Sequence, residues 1–370
     1  VITIADDFRT LASRYRLGTP PSGPEERLVG RNANYRIDTD SGRWFVKKFR
    51  FSDAADSLAR CLAYDEVLAA HPDAGLPRSP RCVVADSDLG VLVQEYVDGA
   101  ESGTTLMVEE RFTPAVAATL GRTVAQLHSL DLRDLPARED RPTPAPAVGL
   151  LGGIPLRHVR HLTGGELAAY GLIQSDAVLC DALRALAADS AAAATTPIHG
   201  DLRADQVLVR ADDVWVVDWE EFGAGDPARD TGSFLGEWLY RAVLDIPTAR
   251  GGGDVMARGG SAGAVLRRGH EKARALAPIP RAFWQAYRTA RDVDDDFVRR
   301  TGAFAGWHLL DRLLAGAATN AVLPAIHRAA AGVGRSGVLN PAGVHALLGT
   351  DVHALLGTDV HAHLGTEQPS

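Results

Sequence analysis

The amino-acid sequence predicts an α+β chain folded as two lobes: an antiparallel N-terminal sheet with one helix over residues 1–97, then a larger, mainly helical lobe over residues 98–340. Three observations predict it. Apolar residues in the first part fall in short runs bounded by polar turns, as strands require. In the second part they recur at three- and four-residue spacing, as amphipathic helices require. The chain has 370 residues, 46% of them apolar, enough to bury a sizeable core in one bilobed unit.

Residues 27–30 and 34–38 read as two strands around a polar turn, Ser41-Gly42 as a tight turn, and residues 43–50 (RWFVKKFR) as a third strand. Residues 54–70 have helical spacing through Leu58, Leu62, Val67 and Leu68. Residues 82–84 and 90–97 complete the sheet. In the second part, residues 114–130 place Val116, Leu120, Val124 and Leu127 on one helical face, and residues 135–155 form a Pro- and Gly-rich loop. Helical patterns return at 166–193, 229–243 and 283–314, with a loop-strand segment at 198–219 and glycine-rich stretches at 251–253 and 259–260. Residues 341–370 form a low-complexity tail in which VHALLGTD, at 344–351, recurs at 352–359 and, altered, at 360–367. A period of eight is too short for a solenoid unit, and its histidines lack the fixed geometry a metal needs.

Lys and Arg total 39 against 47 Asp and Glu, a net charge of −8. That balance excludes a general nucleic-acid binder, which needs a basic field. No apolar run has the length of a membrane span, and residues 1–9, with Asp6 and Asp7, lack the pattern of a signal peptide. Cys61, Cys82 and Cys180 are too few and too scattered for a disulfide framework or a zinc site. A cytoplasmic setting is the expectation.

The chemistry concentrates in IHGDLRADQ, residues 198–206, followed by VVDW, residues 216–219. A strand delivers His199, Asp201, Arg203 and Gln206 on a loop; a second strand then presents Asp218. Two carboxylates separated by a hairpin can face one cleft, one accepting a proton while the other holds a divalent cation. Phosphoryl transfer needs that pairing, because its catalysis is positioning and charge neutralisation. Mg²⁺ takes oxygen ligands and keeps several waters, so one carboxylate and one amide suffice. Asp201 is the candidate base, Arg203 the candidate contact to the transferred phosphate, and Asp218 with Gln206 the candidate metal ligands.

HGDLRADQ with VVDWE resembles the catalytic and metal loops of the aminoglycoside phosphotransferase and choline kinase group, relatives of the protein kinases with the pattern H-x-D-x-x-x-x-N followed by an Asp-led metal motif. The resemblance spans about residues 25–240 and implies a protein-kinase-like fold that uses ATP and Mg²⁺. Gln206 departs from it, standing where Asn is expected. GRNANYR, from Gly30, resembles the nucleotide-covering turn. Alternation puts Phe45, Lys47 and Phe49 on one strand face, giving Lys47 for phosphate and Phe45 for adenine; Lys48 with Val46 is the rival pair. Glu66 is a candidate to orient the lysine. Residues 94–97, with Gln94 and Tyr96, resemble the adenine-binding hinge, and Asp226 and Asp230 read as structural anchors. His199 is expected to brace the loop by hydrogen bonding rather than to move protons.

The resemblance implies a hydroxyl as the acceptor. HGDLR-x-DQ, DWEEF, GDPARD and GEWLYRAV together resemble phosphotransferases of class V lanthipeptide and thioamitide biosynthesis, which implies Ser or Thr of a precursor peptide and a partner lyase. A small-molecule acceptor such as an aminoglycoside, macrolide or other antibiotic is the alternative, and a pseudokinase scaffold, suggested by Gln206, is a third reading. A cationic drug would call for an acidic pocket, for which Asp292 and Asp294–Asp296 are the candidates; a capped helix start is the plainer reading of them. Arg157–His161 reads as a solvated face, and Trp284, Tyr287 and Trp307 as core.

Overall fold

The computed structural model describes residues 4–19, 26–28, 32–49, 54–135, 146, 148–248 and 262–349. The N-terminal part opens with α1 (Ile4–Tyr15), followed by β1 (Glu26–Leu28), β2 (Ala33–Thr39), β3 (Gly42–Lys48), α2 (Ala54–Ala70), β4 (Cys82–Asp86) and β5 (Val91–Glu95). These strands make one antiparallel sheet in the order β1-β2-β3-β5-β4. Its register pairs Lys47 with Asn34 on one side and Leu92 on the other.

The sheet is covered on both faces, and here the expectation of one helix falls short. Phe8, Leu11 and Ala12 recur at helical spacing, and with Leu17 they pack on Ile37, Val46, Val84, Val91 and Val93. That burial makes α1 a second helix of this part. Alternation along β3 sends Val46 to the α1 side and Lys47 to the opposite face, where α2 and the helical part lie.

The helical part contains β6 (Glu101–Ser102), α3 (Gly103–Val108), α4 (Pro114–Leu127), α5 (Leu156–Val159), α6 (Gly164–Gln174), α7 (Ala177–Ala192), β7 (Thr196–Ile198), β8 (Val207–Arg210), β9 (Asp213–Val216), β10 (Gly223–Gly225), α8 (Ala228–Leu244), α9 (Ala262–Leu276), α10 (Pro278–Ala290), α11 (Asp295–Ala317), α12 (Ala325–Leu339) and α13 (Pro341–Gly349). Two expected long helices are each divided by an aspartate that caps the second member. Asp176 accepts the Leu179 amide at the start of α7, and Asp294 accepts the Phe297 amide at the start of α11. Asp294 therefore takes the helix-start role, and Trp284, Tyr287 and Trp307 are buried in the core. The start of the first octapeptide copy docks: Val344 is fully buried and His345 Nε2 lies 2.8 Å from the Val298 carbonyl. The later copies, Gly30 and the 251–260 stretch lie outside the described residues. Among the described residues no helix is long and apolar enough to cross a membrane.

Candidate functional site

The catalytic-loop candidates are held from below by one buried carboxylate. Asp230, in the first turn of α8, is wholly inaccessible and accepts the backbone N–H groups of His199 at 2.7 Å and Gly200 at 2.8 Å. His128, at the C-terminal cap of α4, lies 3.2 Å from the same carboxylate and 2.8 Å from the Tyr287 hydroxyl. Burial alone would raise the Asp230 pKa; the His128 and His199 contacts overcome it and hold the carboxyl below its usual range. Gly200 is required here: its φ is +85°, and a Cβ would stand 2.6 Å from the Glu221 carbonyl.

His199 braces rather than reacts. Its Nδ1 accepts the Asp201 amide at 3.2 Å and its Nε2 meets the Val217 carbonyl at 3.0 Å, tying the Asp201 loop to the strand that leads to Asp218. A second tie runs from the Val217 amide to the Gln206 carbonyl at 2.9 Å. Asp201 thereby lies close enough to Asp218 to feel its charge, and Gln206 is buried, one backbone hydrogen bond away from the residue before Asp218.

Asp218 takes a left-handed backbone, φ 69° and ψ 52°, at the head of a 3₁₀ turn, Trp219–Glu221. A non-glycine residue in that conformation marks a strained position of the kind that clusters at functional sites. Lys47 Nζ donates to Asp218 Oδ1 and, at 2.7 Å, to Glu220 Oε2. Desolvation pushes Asp218 up, but the lysine ammonium outweighs it and keeps the carboxyl ionised below its ordinary range. Lys47, rather than Lys48, is thus the lysine of β3 that reaches Asp218 across the two parts of the chain.

Asp201 is desolvated, which raises its pKa, against the opposing charges of Arg203, Arg312 and His199. Arg203 lies 3.0 Å from Asp201 and 3.2 Å from Asp205, while its own Nε is buried without a hydrogen-bond partner. Beyond it, Glu237 of α8 meets His308 at 2.7 Å, and Asp311 meets Arg312 at 2.7 Å. This wall of Asp205, Glu237, Asp311, His308 and Arg312 was not foreseen from the sequence. GEWLYRAV carries a helical pattern and a family resemblance but no role for Glu237, and Asp311 and Arg312 come from α11, far away in the chain.

Phe45 shares the Lys47 face of β3. Gln94 is buried, with its amide nitrogen donating to the Pro80 carbonyl at 3.2 Å, and the Tyr96 amide donates to the Arg43 carbonyl at 3.1 Å. Glu66 is exposed on α2 and does not orient the lysine, because the buried face of that helix carries Ser57, Cys61 and Tyr64 instead. Glu220 takes that place and was missed; the second acid of DWEE was its only signal. Tyr64 stacks on Trp219 at 3.3 Å between ring centroids, fixing α2 to the turn. Asp226 anchors Arg300 at 2.8 Å and caps the Ala228 amide at 3.1 Å.

The donor set suits a hard cation and an anion. Asp218 and Gln206 offer oxygen, while the described residues contain no cluster of three or more His, Cys, Asp or Glu able to cage a metal by themselves. A site completed by phosphate oxygens and water is the form Mg²⁺ takes. The unpaired Arg203 Nε and the unpaired, buried Asn32 Oδ1 are polar atoms that lack a protein partner.

Comparison with known proteins follows the same lines. The model of a phosphotransferase enzyme family matches residues 28–276. The fold resembles a microcompartment-associated aminopropanol kinase at 18% identity and TM-score 0.53, covering 94% of this chain and 98% of that one. It resembles an amicoumacin kinase, solved in complex with AMP-PNP, Ca²⁺ and Ami, at 14% identity and TM-score 0.51, covering 92% and 95%. It also resembles a choline/ethanolamine kinase family protein from Mesorhizobium loti at 20% identity and TM-score 0.50, covering 95% and 98%. No curated protein sequence matches the chain.

Proposed function

This chain belongs to the phosphotransferase enzyme family, and on that premise we propose that it transfers the γ-phosphoryl group of ATP to a hydroxyl presented to Asp201. The observation that carries the proposal is the convergence of three charged groups from two parts of the chain: Lys47 of the sheet bonded to Asp218, with His199 bracing Asp218's strand to Asp201's loop. In this reading Lys47 and Gly30 serve the phosphate oxygens, and Phe45 with the backbone of the Gln94–Tyr96 stretch seats the adenine. Asp218 and Gln206 hold a divalent cation, Mg²⁺ by the chemistry of the donor set, which supplies neutralisation of the phosphate charge. Arg203 turns its unpaired Nε to the transferred group. Asp201, desolvated and therefore the more basic, accepts the hydroxyl proton as transfer proceeds. The N-terminal lobe over residues 1–97 would serve the nucleotide, and the lobe over 98–340 the catalytic and metal loops and the acceptor.

The acceptor wall favours a hydroxyl next to a positive charge. Asp201, Asp205, Glu237 and Asp311 face two guanidinium groups, Arg203 and Arg312, which leaves an excess of negative charge. Burial raises the Asp205 pKa against the pull of Arg203 and Arg312, and Glu237 and Asp201 add to the rise. A cationic group on the acceptor would relieve that excess. The acidic stretch at Asp292–Asp296 does not serve here. It lies at the start of α11, and Asp311 is fifteen residues further along that helix, about 22 Å away. An amine-bearing small alcohol fits this wall. The second reading, Ser or Thr of a precursor peptide later acted on by a partner lyase, is favoured by the GEWLYRAV and DWEEF motifs, and a basic residue flanking that Ser or Thr would meet the same wall.

The test separates the two acids. Asp201→Asn is expected to retain Mg-dependent ATP binding and to lose transfer by about 10²–10⁴-fold. Asp218→Asn is expected to lose metal-dependent binding, and since Asn tolerates the left-handed backbone, the loss reports charge rather than strain. Aminoalcohols and basic-flanked Ser peptides are offered in parallel, and the product is read as a mass gain of about 80 Da. Near wild-type transfer by Asp201→Asn would sink the assignment.

A further inference from the structure

In kinase-like enzymes the strand lysine is held by a carboxylate from the neighbouring helix. Helix α2 supplies none. Of its three acids, Asp56 and Glu66 are exposed, and Asp65 accepts the Cys82 amide at 3.0 Å. The turn of α2 that faces the site presents Arg60 instead, which donates to the Glu220 carbonyl at 3.2 Å and pairs with Glu221 at 3.6 Å. An arginine there has the charge of the lysine and cannot hold it.

Lys47 is 4% exposed and Glu220 9% exposed, and they meet at 2.7 Å. Glu220 is itself steadied by Asn32, whose amide nitrogen donates to the same oxygen at 3.1 Å. We propose that Glu220 is the positioning residue for Lys47, in place of a helix-borne carboxylate, so that one 3₁₀ turn sets both the metal-side acid and the lysine. The inference rests on the ATP reading above: when Asp218 turns to a cation, Lys47 keeps one buried partner and one direction. The Tyr64–Trp219 stack and Arg60 clamp that turn to α2, so the helix places the lysine indirectly, through the turn.

Mg-dependent ATP hydrolysis, with water as the acceptor, is the assay. Glu220→Gln keeps size and hydrogen bonding but loses charge. It is expected to lower kcat by about 10²-fold, as loss of placement by an ångström does, with KM for ATP nearly unchanged. Asn32→Ala, which leaves both charges in place, lowers kcat in the same direction by less. Adding Cys61→Asp to Glu220→Gln brings a carboxylate from the buried face of α2 and restores part of the loss. Glu66→Gln behaves as wild type. The proposal is overturned if Glu220→Gln turns over at the wild-type rate, if Glu66→Gln carries the loss, or if excess Mg²⁺ repairs Glu220→Gln, which would make Glu220 a metal ligand. A wild-type chain without Mg-dependent hydrolysis fails earlier, before any variant, and takes down the ATP reading together with this one.

Discussion

Replacing Asp230 by Ala removes the carboxylate on which the His199–Asp201 loop stands. Two backbone N–H groups, at 2.7 and 2.8 Å, and His128 at 3.2 Å lose their acceptor. His128, His199 and Asp230 are each at most 1% exposed, so solvent does not replace the acceptor without entering the core. A hydrogen bond to a charged group contributes roughly 1.5–3 kcal/mol, so the two amide bonds together account for about 3–6 kcal/mol. Water filling the vacated space recovers part, leaving a loss of about 4 kcal/mol, or roughly 5 °C in Tm at about 2.1 cal/mol/K of unfolding entropy per residue. Asp230→Asn keeps one oxygen but turns an NH₂ toward the other amide, and it is expected to lose about half as much. The sign with pH follows from the depressed carboxyl. Its folded pKa lies below the unfolded one, so its stabilisation is complete above the ordinary carboxylate range and is lost as pH falls through the folded value. Thermal unfolding of wild type and Asp230→Asn should therefore converge in acid. Hydrogen exchange at Gly200 reads the local effect, and it should accelerate in Asp230→Ala even where the global fold persists. Wild-type Tm together with wild-type protection at Gly200 would refute the argument that this acid supports the loop.

Gly200→Ala should lose about 1–2 kcal/mol to the left-handed backbone alone, and more from the 2.6 Å approach to the Glu221 carbonyl; activity should fall further than Tm, because the displaced Glu221 closes the turn that bears Asp218 and Glu220. The acid limb of the rate profile should be set by Asp201, whose raised pKa puts the protonated, inactive form at higher pH than an exposed carboxylate would, and a limb lying in the usual carboxylate range would contradict its desolvation. Glu237→Gln should weaken aminoalcohols relative to neutral alcohols in a competition assay, since it removes one buried negative charge from the acceptor wall while leaving His308 a hydrogen-bonding partner; equal loss for both acceptor types would remove the case for a cationic group.

Short-range pattern carried the fold and the loop residues; long-range pairing hid the rest. Alternation along RWFVKKFR put Lys47 and Val46 on opposite faces, and the packing of Val46 against α1 makes that choice physical. Two helices were read through their breaks because an aspartate that caps a new helix looks, in a one-dimensional pattern, like one more polar position on the old one; Asp176 and Asp294 reveal themselves only through the amides they accept. Helix α1 was missed although Phe8, Leu11 and Ala12 carry the helical spacing, since three apolar residues in a polar segment gain meaning only from the sheet they cover. Glu66 was the natural lysine partner if α2 turned its acidic side inward, but Leu58, Cys61, Tyr64 and Val67 claim that side, and apolar burial fixes a helix's rotation more strongly than one ion pair can. Once that rotation is set, Lys47, buried beside Asp218, needs a second carboxylate from elsewhere, and the turn that already bears Asp218 is the segment whose acids lie within reach. The placement of Glu220 is thus a consequence of how α2 packs, and its chemistry could not be read from DWEE until that packing was known.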